Sequence, residues 1–194
     1  MSDAGTPTRR RMSYDERHLQ LRETARALIR DEGTDAFTLA RLADRAGVTK
    51  PLVYQHFGTR SAVLVELYRE FKGRAHLALD AALATTGDDL DEVARVIADA
   101  YLDCIDAEST EVPGVGGALS GSAELEDLRQ EADDAFSARC RAALAPSSPD
   151  GGVPDAALHV ILGAADALAR AILRGRIGFD DARRALAKTV AGVV

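Results

Sequence analysis

Between Ala46 and Arg60 the chain places Thr49, Lys50, Pro51, Leu52, Tyr54, Gln55 and His56, and no acidic residue. Lys and Gln can hydrogen-bond the edges of bases in a DNA major groove, and Pro and Leu can meet a thymine methyl. Thr, Tyr and His offer hydroxyl or N–H donors to phosphate oxygens, as do the free N–H groups at a helix N-terminus. An Asp or Glu here would be repelled by phosphate. The competing reading is an amphipathic helix whose solvent face simply lacks Asp and Glu.

These residues need a helix to present them. Ser13 and Glu16 have capping-box spacing, and Leu21, Ala25, Leu28 and Ile29 recur on one helical face, so a first helix runs from about residue 14 to Glu32 and stops at Gly33. Thr38 then caps a short helix carrying Leu39, Leu42 and Ala43, closed by Gly47. Thr49 caps another, with Pro51 in its first turn and Val53 and Phe57 as its apolar seam. Helices this short are marginal alone, so they must pack on the first. Gly47 can take the positive φ that a tight turn between them needs. That is helix-turn-helix geometry, and it leaves Lys50, Pro51, Leu52, Tyr54, Gln55 and His56 at or near the surface. Beyond Gly58, Thr59 caps a long helix with Leu64, Leu67, Tyr68, Phe71, Ala75 and Leu79 as its seam. Further helices are predicted at about 88–107, 122–145, 154–174 and 179–193. Residues 112–117 read as a flexible connector and 145–152 as a surface loop.

The fold class is therefore all-α. Three segments follow: a basic arm over 1–13, a helix-turn-helix domain over 14–58, and a helical body over 59–194. Net charge is −7 overall, yet residues 1–60 hold 11 Lys/Arg against 8 Asp/Glu, which makes them +3 and the remainder −10. A basic head on an acidic body suits nucleic-acid binding, though +3 in sixty residues is also ordinary surface scatter. No apolar run approaches the roughly 20 residues of a membrane span, no secretory signal opens the chain, and Cys104 and Cys140 suit buried thiols in a reducing compartment, so the expected location is the cytoplasm. Catalytic readings fare poorly. Gly114–Leu119 fails a dinucleotide-binding fingerprint, Ser120 and Ser122 lack a nucleophile-elbow glycine, and no histidine or cysteine has a metal-ligand partner at the right spacing. No cofactor, metal or enzymatic activity is expected.

Taken together, Thr38 to Thr49, then Leu52 to Phe57, then Arg60 and Leu64 resemble the N-terminal domain of TetR/AcrR-type transcriptional regulators over about residues 14–68. The resemblance implies that Lys50, Pro51 and Leu52 face bases, and that Thr38, Thr49, Tyr54 and His56 touch the sugar-phosphate backbone. Arg60 stands where the family usually has a lysine contacting phosphate; Gln55 could serve either role, and Arg41 counts among the DNA contacts. Ala40 departs from relatives with a polar base-reading residue there, leaving only a methyl contact. Arg9, Arg10 and Arg11 could enter a minor groove or form a solvated tail.

For the body, the resemblance implies that 59–194 is a helical ligand-binding and dimerisation domain, and that the chain acts as a homodimer on a palindromic double-stranded DNA operator, as a repressor released by an unknown small-molecule effector. Leu158, Ile161, Leu162, Ala165, Leu168, Ala169 and Ile172 form a stripe that, with 179–193, would make half of an intermolecular four-helix bundle or else pack inside the monomer. Phe71, Tyr101, Cys104 and Phe136 would line a ligand cavity or belong to plain core. His159 and Asp166 could pair across the dimer, contact ligand, or edge the stripe. The alternative from another class is a helical dimeric small-molecule-binding protein that does not bind DNA.

Overall fold

Ser13 and Glu16 form the reciprocal cap their spacing predicts. Glu16 N–H donates to Ser13 Oγ at 3.1 Å, and Ser13 N–H donates to Glu16 Oε2 at 2.7 Å. With two otherwise orphaned donors satisfied, α1 runs Tyr14–Glu32 and buries Leu21, Ala25, Leu28 and Ile29. The computed structural model describes residues 12–148 and 152–194, and the described residues form helices and connecting turns without a strand. The arginines of the expected basic arm, Arg9 to Arg11, lie outside the described residues, as do Pro149 to Gly151 of the expected surface loop.

After α1 come α2 (Leu39–Ala46), α3 (Lys50–Phe57) and α4 (Arg60–Leu83), then α5 (Leu90–Glu111), α6 (Val115–Ala118), α7 (Ala123–Leu144), α8 (Asp155–Leu173) and α9 (Phe179–Gly192). Residues up to Val63 and from Leu64 onward form two compact units. That division falls later than the expected 58/59 boundary because the first turn of α4 belongs to the N-terminal unit. Arg60 there donates to the carbonyls of Thr34 and Phe37, at 2.7 and 3.0 Å.

In the second unit α5 packs extensively against α9, and α8 packs against α9, α5 and α7. Leu79, Ile97, Leu102, Phe136, Leu144, Ile161, Leu186 and Val190 build its core, with Ala94, Ala98, Ala165 and Ala182 between them. Such small residues let helix backbones approach closely. The connector expected to be flexible is instead anchored: α5 continues to Glu111, and α6 occupies the glycine-rich stretch. Val112, Val115 and Leu119 are buried there, an apolar i, i+3, i+7 spacing that outweighs the local glycines. Cys104 and Cys140 are both free thiols, and burial pushes the Cys140 thiol up to about 12.

Two expectations about α8 are corrected. An 18-residue window of this 19-residue helix averages a hydropathy of 1.6, so by length and composition it is apolar enough to cross a membrane, contrary to the expectation that no run comes near. Its proposed dimer stripe also faces inward. Leu158, Ile161, Ala165 and Ala169 are buried in the chain's own core, and Leu162, Leu168 and Ile172 pack against that core. The opposite side, with Ala156, Val160, Gly163 and Ala167, is exposed.

Candidate functional site

Thr38 caps α2, its Oγ1 accepting from Arg41 N–H at 3.1 Å. At the other end Gly47 takes φ 65°, a left-handed conformation costly for other residues, and Val48 N–H returns to the Ala43 carbonyl at 3.0 Å. That turn delivers Thr49 to the start of α3. Thr49 has the extended backbone of an N-cap but makes no side-chain cap bond, so its hydroxyl is not committed to the helix. Pro51, near the helix start, removes an N–H that no intrahelical carbonyl would satisfy.

Val53 and Phe57 turn inward, at 0% and 8% exposure, as the seam predicts. Lys50, Pro51, Tyr54 and Gln55 are exposed, and Leu52 is half-buried. Residues three or four apart share a helix face, so Gln55, two residues from each inward anchor, points away from the core, and Thr49, Lys50, Pro51 and Tyr54 are exposed along with it. No carboxylate interrupts the surface along α3.

Three of the expected DNA contacts are differently placed. Arg60 has its guanidinium on the Thr34 and Phe37 carbonyls, where it braces the segment before α2 rather than reaching outward. Arg41 pairs with Glu32 and donates to the Ala36 carbonyl at 3.1 Å, while Arg45 bonds Asp31 at 3.0 Å and Glu32 at 3.3 Å. Both arginines thus tie α2 to the end of α1. His56 is half-buried against α1: its ring stacks on Tyr14 at 4.2 Å, and its Nδ1 lies 3.3 Å from His18 Nδ1. Burial, then His18, then Arg17 hold its pKa below the usual histidine value. The imidazole is therefore neutral near pH 7 and brings no charge to phosphate. Long-range contacts of this kind leave no mark in local spacing, so sequence reading overlooked them.

The second unit encloses a cavity of about 400 Å³ among α4, α5, α7 and α8. Tyr101, Cys104 and Phe136 line it, as does Asp166, whereas Phe71 lines a separate groove of about 490 Å³ that shares Ala75, Ala100 and Cys104 with the first. His159 is exposed and lines neither.

Polar lining residues beyond the expected set are Lys72, His76, Glu108, Arg129, Asp133 and Arg170. Lys72 Nζ donates to Glu108 Oε2 at 3.1 Å and approaches Cys104 Sγ at 3.7 Å. Burial disfavours that ammonium, but Cys104, Glu108 and Tyr68 outweigh it and raise the lysine pKa. Tyr101 OH donates to Asp166 Oδ1 at 2.7 Å; burial and that bond raise its pKa. Their signal was present in the sequence. Lys72 and His76 interrupt the seam of α4 at four-residue steps from Tyr68, and Glu108 stands four after Cys104 on α5. Among the described residues no His/Cys/Asp/Glu group is arranged to hold a metal ion.

Residues 21–67 match the family model described as bacterial regulatory proteins, tetR family. A curated relative, the HTH-type transcriptional activator FasR of Mycolicibacterium smegmatis, is 32% identical over 99 residues; that stretch covers 51% of this chain and 45% of FasR. The chain thus aligns with under half of that relative's length. FadR of Bacillus subtilis, solved in complex with stearoyl-CoA, superposes with a TM-score of 0.69 at 14% identity, over 91% of this chain and 99% of that one. A putative transcriptional regulator of Saccharomonospora viridis, solved in complex with choline, gives 0.71 at 20% identity, over 91% and 96%. These structural likenesses show the fold. With the helix-turn-helix residues in place and the family model matching over them, residues 21–67 are similar to the DNA-binding segment of the tetR family of bacterial regulatory proteins.

Proposed function

We propose that this protein is a non-enzymatic, dimeric transcriptional regulator of the cytoplasm, bound to double-stranded operator DNA through α2 and α3 and governed by a small molecule in the cavity of the second unit. The observation that carries the reading is the outward face of α3. Lys50, Pro51, Tyr54 and Gln55 are exposed together beside an uncommitted Thr49 hydroxyl, with no carboxylate among them. Lys50, Pro51 and Leu52 supply base contacts, and Thr38, Thr49 and Tyr54 supply phosphate contacts. Arg60, Arg41 and His56 act through the framework they brace.

Two copies are needed for geometry. Recognition helices about 34–36 Å apart enter successive major grooves on one face of the duplex. The exposed Ala156, Val160, Gly163 and Ala167 stripe of α8 is the surface proposed to join them. Helix α4 spans the sequence boundary between the units, with Arg60 before it and Lys72 and His76 after it. A ligand acts on DNA affinity to the extent that it binds one arrangement of the dimer better than the other. Repression relieved by ligand corresponds to DNA bound in its absence and released in its presence.

Titration of labelled genomic fragments at several salt concentrations tests the DNA reading. Affinity should fall steeply, by about 0.9 log units per log unit of salt for each phosphate neutralised. Lys50→Ala should cost about 1–3 kcal/mol on the cognate site and relax discrimination at one base pair. A flat salt response, or no retained fragment, sinks the proposal.

A further inference from the structure

The cavity's charges are nearly all accounted for among themselves. Lys72 is held by Glu108, whose Oε2 also accepts from Tyr68 OH at 3.4 Å. Asp166 accepts from Tyr101 OH and has Arg170 at 3.9 Å. Two lining ions stand without a hydrogen-bond or ion-pair partner among the described residues, Arg129 and Asp133, one turn apart on α7.

They are not equivalent. Burial, then the charge of Asp166, raises the Asp133 pKa in spite of Lys72 and Arg129 nearby. Burial is the larger cause, and the neighbouring Asp166 carboxylate adds to it. His76 adds no positive charge there, because burial, Arg139 and Lys72 lower its pKa and keep it neutral. Beside the two carboxylates stand two aromatic rings. Phe136 follows Asp133 by three residues on the same face of α7, and Tyr101 meets it edge-on at 5.3 Å while donating to Asp166. Rings beside carboxylates in a partly desolvated cavity attract a cation through both quadrupole and charge. Leu79, Ala75 and Ala100 complete an apolar wall.

We propose that the cavity binds an organic cation, a protonated amine or quaternary ammonium on a compact apolar body, with its charge beside Asp133 and Asp166 and its body against Phe136, Tyr101 and Leu79. This rests on the ligand-responsive reading above and assigns its effector class. An anionic head would find only Arg129 uncommitted, since the Lys72 ammonium is already shared with Glu108. The cation favours the ionised form of Asp133, so affinity weakens on acidification as that carboxylate takes up its proton.

Calorimetric titration of the full chain with hexyltrimethylammonium, hexanoate and hexanol tests the assignment. The expected result is binding of the cation, with hexanoate weaker by about tenfold or more. Asp133→Asn should weaken the cation by a similar factor, abolish the loss on acidification, and leave the melting temperature unchanged. Asp166→Asn, which keeps the side-chain shape, serves as the second variant and should also weaken it. Hexanoate binding more tightly than the cation, cation binding unchanged in both variants, or no binding by any of the three overturns the proposal. A parallel gel shift without ligand separates the two readings. DNA retained while no cation binds removes only the effector class; a bound cation with no DNA retained removes the regulator reading and leaves the cavity assignment standing.

Discussion

At the scale of single residues, the exposed half of α3 was legible and the half-buried part was not. Val53 and Phe57 fix which way the helix turns, so the exposure of Pro51 and Gln55 on the opposite side follows from spacing alone. His56 shows what spacing leaves out. It lies one residue from an inward anchor, and its Nδ1 faces a nitrogen 38 positions away, on His18. With His56 neutral its Nδ1 can serve as the acceptor of this contact; protonating His56 removes that acceptor and sets a positive charge beside His18 and Arg17. Because the folded His56 pKa is depressed, its contribution to stability is present above the ordinary value near 6.5 and is lost as pH falls through the folded pKa. Melting temperature should therefore drop between about pH 7.5 and pH 5.5, and drop less in His56→Gln, which keeps a polar side chain without titrating in that range. Equal drops in both proteins would remove His56 from the acid response.

At the scale of elements, caps and seams placed nearly every helix. Ser13 with Glu16, Thr38 and Thr59 all accept the predicted backbone donors, and α1, α2 and α3 begin and end where their caps and glycines dictate. The error over residues 112–117 has a physical source. Glycine content argued for a loop, but three valine and leucine side chains at helical spacing found a core to enter. Arg60 is the other element-scale lesson, because its role depends on where the segment before α2 lies rather than on its own neighbours. Its two bonds to the Thr34 and Phe37 carbonyls are charge-assisted, each of the kind worth about 1.5–3 kcal/mol. Arg60→Ala should thus lower unfolding free energy in urea by roughly 1–3 kcal/mol. The salt slope of DNA binding should hardly change. A slope reduced by about one, with stability intact, would return Arg60 to direct phosphate contact.

At the scale of the whole molecule, the apolarity of α8 is only partly explained within one chain. A window of the helix with mean hydropathy 1.6 has 28% of its residues buried, although its inward side is well packed. The sequence showed an apolar stripe but not which of two stripes the chain would keep for itself, because α8 is apolar nearly all round and spacing alone cannot choose a side. Packing against α5, α7 and α9 takes Leu158, Ile161, Ala165 and Ala169, and leaves Val160 about half exposed among Ala156, Gly163 and Ala167. A face of small residues around one β-branched side chain suits close approach of a second helix. If it joins two copies, Val160→Glu sets like charges together at the contact without disturbing the core, since the side chain makes no part of it. The variant should keep its helical circular dichroism, elute as a monomer with light-scattering mass near 20.6 kDa, and lose most of its affinity for a two-half-site fragment. Affinity for a single half-site should stay close to that of the unmodified chain. A Val160→Glu protein that remains dimeric and binds the full site normally would place the interface elsewhere.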